Sequence, residues 1–219
     1  KEGSFGAGYG RGFYDMVVTG HTHKFSSSTV DKATLTSNGS ITGKCSDCGQ
    51  TTTSTIYRPS SIRLTTTAYT YNGKAKRPGV VVTDVNGRTI GSSSYTVSYD
   101  RDAVSAGRHK VTITFRGNYS GTVTRTYTIN PKGTSISKLS KVKRGFKVKV
   151  RKQAAKTATG YQVQYCIRSN FRGAKTKTFR GTSLTVNRLK KKRVYYVRVR
   201  TYKKSGRRTY RSEERRVGK

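Results

Sequence analysis

Apolar residues alternate with polar ones at every second position through much of the chain. Residues 95–99 read YTVSY, and the same period recurs in 111–115 (VTITF) and in 123–129 (VTRTYTI). A period of two places successive side chains on opposite faces of a strand, so it predicts half-buried antiparallel strands. No stretch of the sequence has the 3.6-residue period of an amphipathic helix. The pattern therefore predicts an all-β chain.

Turn residues fall between these alternating runs. Asn72-Gly73, Asn86-Gly87 and Gly117-Asn118 are dipeptides typical of tight hairpin turns. Short strands at this spacing, separated by turn residues, predict a β-sandwich over roughly residues 61–130.

A second series of alternating runs follows residues 129–135, whose sequence INPKGTS breaks the pattern with Pro and Gly. We place a domain boundary there. Alternation resumes in 145–150 (GFKVKV), 160–165 (GYQVQY), 182–186 (TSLTV) and 194–202 (VYYVRVRTY). This indicates a second sandwich of about 80 residues, which is large enough to bury a workable core.

Charge is distributed in three densities along the chain, which has 46 Lys and Arg against nine Asp and Glu. Residues 1–60 hold six basic and four acidic residues, residues 61–131 hold ten and three, and residues 132–219 hold 30 and two. The last region is expected to attract any polyanion, whether anionic cell-wall polymer, glycan or nucleic acid. No apolar stretch approaches the ~20 residues of a membrane helix, so no membrane span is expected.

Two segments carry a resemblance to known families. The sequence LKKKRVYYVRVRTY (189–202) resembles the sixth strand of a fibronectin type III domain, in which a Leu precedes by six a Tyr whose hydroxyl pins the preceding loop. Leu189 and Tyr195 have that spacing, and GYQVQY resembles the third strand of the same family. Residues 61–130 are similar to Ig-like repeats of bacterial secreted and cell-surface proteins. Such repeats are often followed by NPKGTSISKL and a fibronectin-like module, as here.

The resemblance implies two tandem antiparallel β-sandwiches, Ig-like and then fibronectin type III-like, behind a small N-terminal β-hairpin module. It implies an extracellular or cell-surface location in a bacterium. Two departures stand out: Val150 lies near the place where the family usually has Trp, which predicts a looser core, and residues 212–219 (SEERRVGK) do not look like a final strand. That end is interpreted as truncated or non-native.

The chain is therefore divided into five segments. They are 1–20, a Gly-rich linker or remnant of an upstream domain; 21–58, the His/Cys hairpin module; 59–131, the Ig-like sandwich; 132–212, the fibronectin-like sandwich; and 213–219, a charged tail.

The N-terminal module has the residues of a metal site. His21 and His23 lie two apart, so both imidazoles would point to one side of an extended strand. A hairpin turning at Asn38-Gly39 would bring them to Cys45 and Cys48, and two imidazoles with two thiolates suit tetrahedral Zn²⁺. Four protein ligands would make the zinc structural. The alternative is a Cys45–Cys48 disulfide in an oxidising compartment; a redox pair would need a βαβ context that the sequence lacks.

A candidate binding stripe follows the predicted sixth strand. Its members share the face opposite the predicted core row, where aromatic rings could stack on sugars or bases and guanidinium groups could bind phosphate or sulfate. The plain alternative is a solvated strand face covered by long side chains. The stripe consists of Tyr196, Arg198, Arg200 and Tyr202.

The remaining reactive residues have structural interpretations. Asp100 and Asp102 lie where a strand gives way to a loop, a position typical of turn-capping Asp. His109 at a strand start and Cys166 are both expected to face solvent. The sequence therefore favours a non-catalytic spacer, display or adhesion fragment. The alternatives are a polyanion or nucleic-acid binder acting through the basic third region, and an accessory region of an enzyme whose catalytic domain lies upstream.

Overall fold

A computed structural model describes residues 23–216, and this part of the chain is built from strands with a single 3-10 turn at Ser92–Ser94. The prediction of an all-β chain with two tandem antiparallel sandwiches is confirmed. Within residues 23–216 the structure has no helix long and apolar enough to cross a membrane.

The N-terminal module is a three-stranded antiparallel sheet. Its strands β1 (Phe25–Asp31), β2 (Gly39–Cys45) and β3 (Thr51–Ile56) lie in the order β1-β2-β3. The predicted hairpin is present as the antiparallel pair β1–β2, and a third strand extends it, but the predicted turn at Asn38-Gly39 is wrong. Residues 32–38 form the β1–β2 connection, and Gly39 is already the first residue of β2, where it pairs with Ile56.

The Ig-like sandwich packs a two-stranded sheet on a four-stranded one. The first sheet contains β4 (Pro59–Leu64) and β6 (Val80–Asp84). The second has the order β5-β9-β8-β7, formed by β5 (Ala68–Thr70), β7 (Tyr95–Tyr99), β8 (Gly107–Phe115) and β9 (Thr122–Asn130). The pair β5 and β9 is parallel, whereas the other pairs are antiparallel.

The core of this sandwich consists of the alternating apolar residues that the period predicts. Val111, Ile113 and Ile129 have no exposed surface. Tyr127 is 1% exposed, and its hydroxyl donates a hydrogen bond of 2.6 Å to the carbonyl oxygen of Lys76. Burial raises the pKa of Tyr127 because it disfavours the charged phenolate.

The third unit is a sandwich of a three-stranded and a five-stranded sheet. The first sheet has the order β10-β11-β14, and the second has the order β13-β12-β15-β16, with β17 also paired to β15. The strands are β10 (Ile136–Val142), β11 (Gly145–Val150), β12 (Gly160–Cys166), β13 (Lys175–Phe179), β14 (Ser183–Val186), β15 (Tyr196–Ser205), β16 (Arg208–Arg211) and β17 (Arg215–Arg216).

Two details of this sandwich bear on the sequence analysis. Val150 is 4% exposed and packs in the core of this sandwich. The expectation that residues 212–219 lack a final strand is wrong for two of them, because β17 pairs with Arg198 and Val199. Glu214, next to β17 in the chain, forms ion pairs with Arg198 and Arg200.

Tyr195 and Leu189 lie at the edge of the second core. Both are partly buried, and the Tyr195 hydroxyl accepts a 3.1 Å hydrogen bond from the backbone N–H of Lys190. The Leu189 N–H donates to the carbonyl of Arg144 at 2.9 Å. The tyrosine thereby contacts the loop that precedes β15.

Tyr195→Phe is expected to lower the free energy of unfolding by about 1 kcal/mol, because the Lys190 N–H loses its acceptor. Denaturant unfolding measures this loss. Tyr196→Phe is the matched control, since Tyr196 is 39% exposed and should change stability little. Equal stability of both variants would show that the Tyr195 hydroxyl does not hold the loop.

The three units are joined by hydrogen bonds as well as by the chain. At the first junction, the Ala33 N–H donates to Asn118 O and the Ser120 N–H donates to Ala33 O, at 3.0 and 2.9 Å, while Leu35 packs against the Ig-like core. At the second junction, the Ala106 N–H of the Ig-like sandwich donates to Lys156 O of the third unit at 2.9 Å. The linker residue Lys132 is bonded to the third unit, since its carbonyl accepts from Thr201 Oγ1 (2.6 Å) and its N–H donates to Thr157 Oγ1 (2.7 Å).

Candidate metal centre

The β2–β3 turn places Cys45 and Cys48 close together. Cys45 ends β2, its N–H donates to Gln50 O at 2.8 Å, and its carbonyl accepts the Gly49 N–H at 3.0 Å. Gly49 has φ +74, a left-handed conformation that glycine adopts without the strain of a Cβ atom. A glycine after the second cysteine therefore allows the chain to close tightly around the two sulfur atoms.

The pairing of β1 with β2 brings His23 to this turn. Phe25 pairs with Cys45, and the Ser46 N–H donates to Lys24 O at 3.1 Å. The Nδ1 atom of His23 lies 3.4 Å from the Cys48 sulfur, and the imidazole stacks on the Phe25 ring at 5.8 Å between centroids.

The ligand atoms of His23, Cys45 and Cys48 all lie within 4.8 Å of one another, so this group could hold a metal ion. Ligands at ~2.0–2.3 Å around a tetrahedral zinc are separated by roughly 3.4–3.8 Å, so small side-chain movements would close the site. Cys45 is buried, whereas Cys48 and His23 are exposed. The fourth predicted ligand, His21, lies outside the described residues.

The predicted binding stripe is only partly open. Tyr196 is exposed and Arg198 and Arg200 are partly buried, but Tyr202 is 4% exposed. The expectation that Tyr202 shares an open face is therefore wrong. Tyr202 pairs with Gly160. Because glycine has no side chain, the Tyr202 ring packs down against β12 in the space that a Cβ atom at position 160 would occupy.

Sequence reasoning missed the partners of the two arginines. Arg198 Nε donates to Gln164 at 2.7 Å and Arg200 Nε donates to Gln162 at 2.9 Å. Burial lowers the pKa of Arg200, and Glu214 opposes that shift. The period of GYQVQY placed both glutamines on the polar face, but the strand register was needed to pair each with its arginine.

His109 and Cys166 are buried, so the two expectations of solvent exposure are wrong. His109 stacks on Tyr127 at 5.3 Å, and its Nε2 lies 2.8 Å from Ser105 O. The Cys166 thiol donates to Arg172 O at 3.3 Å. His109 lies on the buried face of β8, and Cys166 is held by the loop that follows β12.

Asp102 holds backbone groups of the β7–β8 connection, and Asp100 holds a backbone group of β8. Asp100 accepts the Lys110 N–H at 2.8 Å, and Asp102 accepts the N–H groups of Val104 and Ser105 at 3.1 and 3.0 Å. Hydrogen bonds from Ser105 lower the pKa of Asp102 to about 2. Asp102 therefore has the contacts of a turn-capping residue, whereas Asp100 bonds across the hairpin to β8.

Comparison with known proteins returns a structural likeness only. No protein-family profile matches the chain. No curated protein matches it either. Among solved structures, it is similar to the crystal structure of consecutive titin domains, with 16% sequence identity and a TM-score of 0.33, over 93% of this chain and 84% of that chain.

Proposed function

We propose that this chain is a non-catalytic spacer and display region of a bacterial secreted or cell-surface protein, with an N-terminal module held together by a structural zinc. The observation that carries the proposal is the hydrogen bonding at both junctions. A series of β-modules serves as a spacer when its units keep a fixed orientation, and bonded junctions favour a fixed orientation over free domain motion.

The second junction has the features of a stiff joint. Thr201 lies on β15, has no exposed surface, and donates its hydroxyl to the linker carbonyl of Lys132. The linker N–H of Lys132 bonds to Thr157, which is 1% exposed. Both backbone groups of this linker residue therefore bond to the third unit, and the Ala106 N–H bonds across the junction to Lys156 O. A hinge motion would have to break the Ala106–Lys156 hydrogen bond or release Lys132 from the third unit.

The acidic residues support the non-catalytic part of the proposal. Asp84 and Asp102 accept backbone N–H groups of their own turns, and Asp100 accepts the N–H of Lys110 on β8. Glu214 is held between two arginines. General acid–base catalysis needs a carboxyl or imidazole directed at a substrate, and these four carboxyl groups are already engaged within the fold.

Zinc suits the ligand set of the N-terminal module. Thiolate and imidazole are the usual ligands of structural zinc. The module buries little apolar surface of its own, since Ile56 is the only buried residue of β3. A metal ion would supply the cohesion that a small sheet of this kind lacks.

The basic third unit supports association with an anionic wall polymer or glycan. Its 30 basic and two acidic residues in positions 132–219 would attract such polymers over about a Debye length. The same charge favours the second candidate function, nucleic-acid binding. Affinities for wall polymer, RNA and DNA, measured at several salt concentrations, distinguish the two.

Thr201→Val is expected to loosen the second junction and to lower the free energy of unfolding by about 1–3 kcal/mol, because the Lys132 carbonyl loses a buried donor. Amide ¹⁵N relaxation measures the tumbling of each sandwich. In the unchanged chain the two sandwiches should share one rotational diffusion tensor, and in the variant each sandwich should have its own.

Thr185→Val is the matched control, since Thr185 is exposed on β14. It should leave both stability and tumbling unchanged. Independent tumbling of the two sandwiches in the unchanged chain would contradict the spacer proposal.

A further inference from the structure

We propose that Arg198 and Arg200 form a preorganised receptor for a carboxylate, that Glu214 occupies it in cis, and that its ligand in trans is a polysaccharide containing uronic acids. The choice of polysaccharide rests on the wall-polymer part of the proposed function. The receptor itself rests on the geometry of one sheet face.

Two parallel rows of hydrogen bonds hold the arginines in place. Residues two apart on a strand lie ~7 Å apart on the same face. In one row, Arg198 donates to Gln164 and Gln164 donates to Thr176, at 2.7 and 3.0 Å. In the other row, Arg200 donates to Gln162 and Gln162 donates to Thr178, at 2.9 and 3.2 Å.

These rows leave the terminal nitrogens of both guanidinium groups available to one anion. Each glutamine takes the Nε–H of its arginine, so that each side chain is fixed before any ligand binds. The Arg198 guanidinium also lies over the Phe171 ring, 4.2 Å from its centroid. A receptor fixed in this way loses little side-chain entropy on binding.

The Glu214 carboxylate shows which anion the receptor accepts. Its Oε2 contacts Arg198 Nη1 at 2.5 Å, and its Oε1 contacts Arg200 Nη1 at 2.9 Å. Each oxygen of a planar carboxylate therefore binds one guanidinium. The three side chains are only 20–24% exposed, so water screens this contact less than it screens an ordinary surface ion pair.

Tyr196 adds the feature that favours a sugar acid over a simple carboxylate. It precedes Arg198 by two residues on the same face of β15 and is 39% exposed. An exposed ring beside a carboxylate receptor offers a stacking surface for a sugar whose acid group binds the arginines. Neutral sugars would lack the negative charge that pairs with the two arginines.

The first test is a gain of binding. Glu214→Gln removes the competing carboxylate, and Glu213→Gln makes the same change of charge at the neighbouring exposed residue. With polygalacturonate as probe, isothermal titration should show about 5-fold tighter binding for Glu214→Gln, and less than about 2-fold for Glu213→Gln.

The second test is a loss of binding at constant charge. Arg198→Lys and Arg200→Lys keep the charge but remove the forked donor, and each should weaken polygalacturonate binding about tenfold. Arg207→Lys, at an exposed turn position, is the matched control and should change affinity little. Methyl-esterified polygalacturonate, dextran sulfate and RNA, which lack free uronate carboxylates, are the comparison probes and should not gain affinity from Glu214→Gln.

Equal affinities for Glu214→Gln and Glu213→Gln would overturn the receptor and leave diffuse attraction intact. A gain for RNA or dextran sulfate as large as that for polygalacturonate would overturn the uronate assignment. Absence of polygalacturonate binding even at low salt would overturn both the receptor's ligand and the wall-polymer part of the proposed function.

Discussion

Cys45→Ser is expected to abolish tight zinc binding and to unfold the N-terminal module while both sandwiches stay folded. Cys45 is the buried member of the His23–Cys45–Cys48 group, 1% exposed at the end of β2. A serine hydroxyl is a poor zinc ligand compared with thiolate. The loss should be large because metal binding and folding are coupled in small modules, where structural zinc supplies of order 10 kcal/mol.

Cobalt is the probe for this prediction, since thiolate-bound Co²⁺ absorbs visibly and takes the tetrahedral geometry of zinc. The unchanged chain should bind one ion per chain, and Cys45→Ser should show no thiolate charge-transfer band. Nuclear magnetic resonance should show collapse of the signals of residues 25–56 alone. Cys166→Ser is the matched control, since Cys166 is a buried thiol of the third unit and should leave metal binding unchanged.

A different result would contradict the zinc proposal. Purified chain that holds no metal after reduction, and that forms a Cys45–Cys48 disulfide on oxidation, would contradict the zinc proposal. It would favour the disulfide interpretation of the same pair.

The faces of most strands could be predicted from the sequence, because a period of two is a local property. The same period accounts for the burial of His109, which shares its parity with Val111, Ile113 and Phe115, and all four are buried on one face of β8. Extending the core row by two residues would have placed His109 correctly.

Features that depend on two strands together could not be predicted. Tyr202 has the parity of an open face, yet it is buried because its neighbour across the sheet is Gly160. The contact between Glu214 and the two arginines likewise depends on the return of the chain to β15. Register and chain reversal are set by tertiary packing, which a single-strand pattern does not contain.

The N-terminal site could be predicted in part from the sequence, and in part it depends on how the strands pair. The sequence suggested that a hairpin would bring the histidines to the cysteines, and the structure brings His23 to Cys45 and Cys48. It does so through the connection 32–38, since Gly39 lies inside β2. Asn-Gly is a strong turn signal. Here, however, Gly39 is required because there is no room for a Cβ atom at this position.

Gly39→Ala is therefore expected to destabilise the N-terminal module by about 3 kcal/mol, at the upper end of the usual cost of overpacking. An added Cβ atom would overlap the carbonyl oxygen of Asp31 and the backbone nitrogen of Ala33. Both are backbone atoms, so the strand end itself would have to move. That movement would also break the bonds from Ala33 to the Ig-like sandwich.

Gly73→Ala is the matched control, because Gly73 belongs to a second Asn-Gly pair with φ +83 and no atom near its missing Cβ. Alanine there should cost about 1 kcal/mol from backbone strain alone. Hydrogen exchange measures the contrast: Gly39→Ala should speed exchange of the Ala33 and Ser120 amides, which bond across the junction, and Gly73→Ala should leave them protected. Equal, small costs for both variants would mean that Gly39 acts as an ordinary turn residue and that no close backbone approach exists at the start of β2.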